Sequence, residues 1–125
     1  MDYRDDLAAV REFVRRQATL AGLPATQVGD LVLAASEVAA RTLAHADSGG
    51  RVRVWSQHGA VFCEFRDTGT IGDLQASRER PPDDVIGGLG LRVVRQVCDA
   101  VDIHDWPGGT TIRLCMSLPG PAPPS

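Results

Sequence analysis

Residues 51–66 read RVRVWSQHGAVFCEFR, two runs of extended character on either side of a short turn. The run from Arg51 to Trp55 alternates with period two, which predicts a strand. His58-Gly59 offers a tight turn into the second run. The side chains of that run divide between two faces of a strand, with Val61, Cys63 and Phe65 on one and Phe62, Glu64 and Arg66 on the other. The stretch therefore predicts a β-hairpin.

Two helical patterns precede the hairpin. Apolar residues recur at three- and four-residue intervals from Asp5 to Ala21 and again from Pro24 to Ala46. Gly22 lies between the two patterns and supplies a helix stop. The pattern predicts two amphipathic helices, of which the second is the longer.

The chain beyond the hairpin begins with residues 68–88, which lack periodicity and predict a long loop that is either functional or mobile. A third helix is predicted from Leu89 to Ala100 and a strand from Val101 to Trp106. The turn 107–109 leads into a last strand from Thr110 to Ser117. Residues 119–125 are too rich in proline for regular structure and predict a tail.

The order of these elements predicts the architecture. Two hairpins joined through a crossover helix favour an α+β fold, a two-layer α/β sandwich. We expect a mixed, mainly antiparallel sheet covered on one face by three helices. One such domain would occupy residues 1–118.

The composition excludes several kinds of chemistry. A chain of 125 residues, 43% hydrophobic, predicts a single globular domain. The net charge of −3 argues against nucleic acid as a partner. All 13 basic residues are arginine, so neither a P-loop lysine nor Schiff-base catalysis is available. The three cysteines lack CxxC spacing, which argues against a disulfide framework and a zinc site. With neither a long apolar run nor a signal-like start, we expect a cytoplasmic protein that does not enter a membrane.

Asp67-Thr68-Gly69 closes the second strand of the hairpin and is the first candidate site. A carboxylate there can accept a hydrogen bond from the exocyclic amine of adenine, and Gly69 lets a flat ring approach the backbone. Guanine would present a carbonyl oxygen, which an ionised Asp67 repels. Taken alone, the same residues favour an ordinary turn.

The second candidate is the glycine-rich run Gly87, Gly88, Leu89, Gly90 and Leu91, which opens the third helix. Its backbone amides could close on phosphate oxygens, and the helix N-terminus adds partial positive charge. The other interpretation is a flexible linker before a helix start.

The third candidate lies on the second helix, where Glu37, Arg41 and His45 are spaced by four and project from one face. Glu37 could act as a general base beside a terminal phosphate, or it could form an exposed salt bridge with Arg41. His45 lies near the helix end, where a capping role is favoured.

These three segments, followed in order by Gly108-Gly109-Thr110-Thr111, resemble the motifs of the histidine-kinase-like ATPases. That superfamily includes gyrase, the heat-shock chaperone, histidine kinases and mismatch-repair ATPases. In its length and in the residues of its motifs, the chain is most similar to the small bacterial anti-sigma-factor serine kinases. The resemblance extends from the first helix to Met116.

The resemblance implies a role for each matching residue. Asp67 looks like the adenine-binding aspartate with Gly69 beside the ring, and Thr110 or Thr111 like the threonine that supports adenine through water. Gly88 and Gly90 look like the glycines of the phosphate lid, in the run 87–91, and Glu37 looks like the catalytic base. ATP or ADP is the implied ligand. A sigma factor or an antagonist-type domain is the implied protein partner, and a homodimer is common in the family.

One position departs from the family pattern. An asparagine that holds magnesium normally stands four residues after the glutamate, where this chain has Arg41. Arginine offers only donors and cannot coordinate a cation, which counts against Mg²⁺ and against metal-dependent phosphoryl transfer. Arg41 could instead contact the phosphates, or it could pair with Glu37 and leave a pseudoenzyme.

Two functions of different kinds follow from these alternatives. The first is an ATP-binding regulatory protein that binds, and if active phosphorylates, a protein partner in bacterial signalling. The second is a catalytically inactive module that sequesters a partner. The proline-rich end also suggests a sensor-kinase catalytic domain cut from a longer chain, which ranks last.

Overall fold

Helices and strands follow one another in nearly the predicted order in a computed structural model, which describes residues 1–4, 6–45, 50–67, 90–106 and 109–119. Within those ranges the elements are β1 (Asp2–Tyr3), α1 (Leu7–Leu20), α2 (Ala25–His45), β2 (Gly50–Gln57), β3 (Ala60–Asp67), α3 (Gly90–Val97), β4 (Ala100–Trp106) and β5 (Gly109–Ser117). The predicted loop 68–88, and the predicted tail apart from Pro119, lie outside the described residues.

Helix α1 begins and ends where its local sequence supplies caps. The Asp6 side chain accepts a hydrogen bond from the Ala9 amide at 2.9 Å, which satisfies one of the donors left over at a helix start. At the other end Gly22 has φ of +104°. The Gly22 amide donates to Thr19 O and the Leu23 amide to Ala18 O, both at 3.1 Å. This pair of bonds is a Schellman motif, which favours glycine at the left-handed position.

The predicted hairpin joins β2 to β3 through His58 and Gly59, with φ of 52° and 76°. Two positive φ values in a two-residue loop define a type I′ turn, whose twist matches that of the flanking strands. Gly59 adopts such a φ without strain because it lacks Cβ.

The five strands form one sheet in the order β1-β2-β3-β5-β4. Each of the four ladders is antiparallel. The second strand of the C-terminal hairpin, β5, is therefore the one that pairs with β3. The α+β class and the mainly antiparallel sheet are confirmed, and no parallel pair occurs among the described strands.

Two details of the elements differ from expectation. The strand β1 was not predicted, because two residues are too few to show a period. The third helix ends at Val97 instead of Ala100. Asp99 explains the early end: its amide donates to Cys115 O at 2.9 Å, and its Oδ2 accepts from the Ser117 amide at 2.6 Å. These bonds tie residue 99 to β5, so Ala100 already begins β4.

The hydrophobic core lies between the sheet and the helices. Helix α1 contributes Val10, Val14 and Ala18, which are fully buried at the predicted spacing. Helix α2 packs against both α1 and α3. The inner side chains of the sheet complete the core, among them Val52, Val61, Cys63, Phe65, Ile112, Leu114 and Met116.

The outer face of the sheet carries a network around Glu64, which is only 3% exposed. Arg53 donates to Glu64 Oε1 at 2.6 Å, and Arg113 donates to Oε2 at 2.7 and 3.1 Å. Both guanidinium groups lie over the Trp55 ring, which stacks on Phe62 at 5.4 Å between centroids. Burial acts to raise the pKa of Glu64, but the two arginines outweigh it and hold that pKa below its usual value.

We expect Glu64→Gln to lower the free energy of unfolding at pH 7 by about 1–2 kcal/mol, since it removes the charge from three hydrogen bonds that two half-exposed arginines donate. Because the folded pKa of Glu64 is depressed, its stabilisation is present above the unfolded pKa and is lost as the pH falls through the folded one. The difference between variant and wild type should therefore shrink at acid pH. Urea unfolding at several pH values measures both effects.

Glu12→Gln is the matched control. Glu12 pairs with Arg15 at 3.0 Å, but both side chains are more than half exposed, so the change should be near zero. An equal loss of unfolding free energy in Glu64→Gln and Glu12→Gln would contradict the stabilising role of the Glu64 network.

Candidate functional site

A row of inner-face positions crosses the sheet at the end where β3 finishes. Tyr3 pairs in register with Gly50, Gly50 with Asp67, and Asp67 with Thr110. Tyr3 and Thr110 are each 4% exposed, and Asp67 is half-buried. Directly opposed residues of an antiparallel pair lie on the same face with Cβ atoms about 5 Å apart. The row thus sets a carboxylate beside a buried hydroxyl.

The register separates the two candidate threonines. Thr110 is opposite Asp67 and lies on the same face as the buried Ile112. Thr111 is opposite Arg66, whose side chain is exposed, and belongs to the outer face. Side chains alternate along a strand, so only Thr110 can share a pocket with Asp67.

The second half of helix α2 lies over this row. Thr42 is buried and its hydroxyl donates to Val38 O at 2.9 Å. Thr42 and Asp67 both influence the phenol of Tyr3. Burial is the main reason that the pKa of Tyr3 is raised to about 12, the Thr42 hydroxyl acts against that rise, and the charge of Asp67 adds to it. Thr42 of α2 and Asp67 at the end of β3 therefore both lie near the Tyr3 phenol.

Glu37 and Arg41 lie one helical turn apart on α2 and are both half-buried. The neighbouring Ser36 Oγ accepts a hydrogen bond from Arg11 of α1 at 3.1 Å. The general-base role of Glu37 and its salt bridge with Arg41, the two interpretations of this spacing, both stay predictions.

The glycine-rich segments are described only in part. Gly90 and Leu91 are the first two residues of α3, which packs against α2. The start of α3 is thus on the same helical layer as Glu37. The predicted residues Gly69, Gly87, Gly88 and Leu89 lie outside the described residues, and the side chain of His45 does so too.

Sequence reasoning missed three residues of this region. Tyr3 belongs to a strand too short to give a pattern, Gly50 stands just before the alternating run that predicts β2, and Thr42 lies within a helix pattern that singles out no polar residue there. The one available signal for Gly50 was its place next to an alternating run. Nothing local links Tyr3 to Asp67.

No group of three or more His, Cys, Asp or Glu side chains that could hold a metal ion occurs in the described ranges. In those ranges no helix has the length and apolar character needed to cross a membrane.

A family model described as a histidine kinase-like ATPase domain matches residues 2–116. The chain belongs to this family. The match starts at β1 and ends in β5, so it includes every described element together with Glu37, Asp67 and Thr110. The resemblance inferred from the motifs is confirmed at this level, and the family implies a nucleotide-binding domain.

Solved structures show the same fold. The histidine kinase domain of the blue-light activated histidine kinase from Erythrobacter litoralis EL346 superposes with a TM-score of 0.60 at 20% identity. The alignment covers 90% of this chain and 60% of that chain. This ATPase domain thus spans less than two thirds of the kinase structure that it matches. No curated protein sequence matches the chain.

The register generates a paired prediction for this ATPase domain. Thr110→Val should weaken ADP binding about three- to tenfold, because it deletes one buried hydroxyl beside Asp67. Thr111→Val should leave the affinity within about twofold, since its side chain faces the other side of the sheet. Calorimetric titration of both variants measures the difference, and a larger loss in Thr111→Val would contradict the placement.

Proposed function

We propose that this histidine kinase-like ATPase domain is an ATP- or ADP-binding regulatory protein of the anti-sigma-factor kinase type. The observation that carries the proposal is the register of Asp67 against Thr110 at the end of the sheet beneath α2. The anti-sigma-factor kinase type is proposed from the sequence resemblance to the small bacterial anti-sigma-factor serine kinases. We also propose that it acts in the cytoplasm.

Adenine is the base that this arrangement favours. An ionised Asp67 offers only acceptors, which suits the exocyclic amine of adenine and opposes the carbonyl oxygen of guanine. Thr110 is buried beside it and can both donate and accept, so it can hold a water against the ring. Because both side chains lie on one face, a flat base would meet them together.

Arg41 is the residue that we propose for the phosphates. It lies one turn beyond Glu37 on α2, in the half of the helix that covers the Asp67 end of the sheet. A guanidinium can bind phosphate oxygens with two parallel hydrogen bonds and carries its charge at every working pH. The start of α3 adds partial positive charge from its backbone amides.

Magnesium does not fit the residues present. Arg41 replaces the asparagine that the family resemblance leads one to expect, and arginine has no lone pair for a cation. The described ranges contain no other cluster of metal-ligating side chains. We therefore propose nucleotide binding with little dependence on Mg²⁺.

Glu37 is the proposed catalytic residue for an active kinase. Its carboxylate would accept the proton of a serine hydroxyl on the partner protein as that oxygen bonds to the γ-phosphorus and ADP departs with the bridging oxygen. The acceptor would be a serine on an antagonist-type domain, and a sigma factor would be the protein held inactive. A homodimer is the proposed assembly.

A second candidate function rests on Arg41 itself. Without a bridging metal, the positive charge at the phosphates comes from one guanidinium and a helix start, which lowers the expected rate of phosphoryl transfer. The alternative is an inactive pseudo-ATPase that sequesters its protein partner.

Titration with ATP and ADP, each with Mg²⁺ and with a chelator, tests nucleotide binding. We expect wild type to bind ADP with about equal affinity in both conditions. Asp67→Asn should lower the affinity for ADP at least about tenfold, because the uncharged amide pairs less well with the amine of adenine. Arg41→Ala should weaken ATP and ADP alike, whereas Arg41→Asn should make binding depend on Mg²⁺. Arg15→Ala, an exposed arginine on α1, is the charge control.

Absence of binding in both conditions would overturn the nucleotide proposal and favour the sequestering module. Strict dependence of wild type on Mg²⁺ would remove the role given to Arg41.

Transfer of labelled γ-phosphate to an antagonist-type domain separates the kinase from the pseudoenzyme. Glu37→Gln should abolish transfer while ADP affinity changes by less than about twofold, since the residue acts on the acceptor proton. Equal slow transfer by wild type and variant would exclude Glu37 as the base.

A further inference from the structure

The hydroxyl of Tyr3 is a buried polar group without an evident structural task. Its ring packs edge-on against Phe65, with centroids 6.2 Å apart at 83°. The residue is 4% exposed, and its hydroxyl oxygen makes no hydrogen bond of standard geometry to any described residue, although the Thr42 hydroxyl lies near enough to affect the phenol. Buried hydroxyls in native proteins nearly always have a partner, so an unused one indicates a missing water or ligand contact.

The residues around this hydroxyl show that it points across Gly50 toward Asp67. A Cβ on Gly50 would lie 2.8 Å from the Tyr3 oxygen and 3.0 Å from its Cζ, so the phenol reaches across β2 at the one position that has no side chain. The next residue in that row is Asp67. Thr42, above the row, already gives its proton to Val38 O and offers only acceptor capacity.

We propose that Tyr3 is a positioning residue of the adenine pocket, whose hydroxyl donates through one water to the Asp67 carboxylate. The hydrogen bond would fix which carboxylate oxygen faces the amine of the base. This inference rests on the nucleotide binding proposed above and extends it to the N-terminal strand. Adenine recognition would then depend on β1, β3 and β5 together.

Gly50 belongs to the same arrangement of Tyr3 and Asp67. A side chain there would meet the Tyr3 hydroxyl and also the backbone oxygen of Arg66 at 3.1 Å, and that backbone cannot move away cheaply. The glycine thus keeps open the path between the phenol and Asp67. The charge of Asp67 and the burial of the phenol both act to raise the Tyr3 pKa, which places the two groups within electrostatic reach.

Tyr3→Phe provides the direct test because it removes the hydroxyl and keeps the ring. We expect ADP affinity to fall about three- to tenfold, with smaller discrimination between ADP and GDP. The melting temperature should change little, since the ring keeps its packing and only one water-mediated hydrogen bond is lost. Thr19→Val deletes an exposed hydroxyl near the other end of the sheet and should change neither quantity.

A merely structural tyrosine gives the opposite pattern, a lower melting temperature with unchanged affinity. That result, with wild type binding ADP normally, would overturn the positioning role and leave the proposed function intact. Failure of wild type to bind ADP would overturn both.

A second measurement needs no nucleotide. Tyr3 is the only tyrosine of the chain, so its ionisation can be followed alone by absorbance at high pH or by a labelled ζ-carbon in NMR. Asp67→Asn should lower the Tyr3 pKa, because the charge that helps to raise it is gone. Asp30→Asn on α2 is the control and should not alter it.

In the NMR experiment, ADP added to wild type should shift the single tyrosine resonance, and Asp67→Asn should abolish that shift. If Asp67→Asn leaves the Tyr3 pKa unchanged and ADP leaves its resonance unshifted, the proposed link between the phenol and the carboxylate is overturned. This outcome can be obtained even if Tyr3→Phe is too unstable to study.

Discussion

The antiparallel ladder between β3 and β5 is the constraint on which the candidate site depends. It joins two strands separated in the chain by α3 and β4, and its register sets Asp67 opposite Thr110. A slip of one residue would turn every side chain of one strand to the other face. The core would then lose Ile112 and Leu114, and the pocket would lose Thr110. Packing of the core therefore fixes the geometry of the site.

The two faces of the sheet have different roles. The inner face carries the core and ends in the row that includes Tyr3, Asp67 and Thr110, beneath the second half of α2. The outer face has no described helix over it, and there Glu64 is held by Arg53 and Arg113. That network allows a central strand to keep a buried carboxylate on its outer side without leaving the charge unpaired. The strands that position the site are thereby tied together from the opposite face.

Arg41 is the residue on which the two proposed functions divide. A family model identifies the ATPase domain, but it does not say what a guanidinium at this position of α2 does. Arginine brings charge and paired donors where asparagine would bring an acceptor for a cation. The same fold can therefore hold a nucleotide by direct contact, or it can serve a binding role that no longer needs transfer. Glu37, one helical turn away on α2, keeps the catalytic alternative open.

The sequence by itself determined every described element except β1, together with the two hairpins, the α+β class and the family, because periodicity, turn residues such as His58-Gly59 and ordered motifs are local properties of the chain. It also marked Glu37, Arg41 and Asp67. It left Thr110 and Thr111 as equal candidates and gave no reason to examine Tyr3 or Gly50. Only tertiary structure decided these, since strand order and register bring distant residues to one face of a sheet, and no local pattern records which strands will pair.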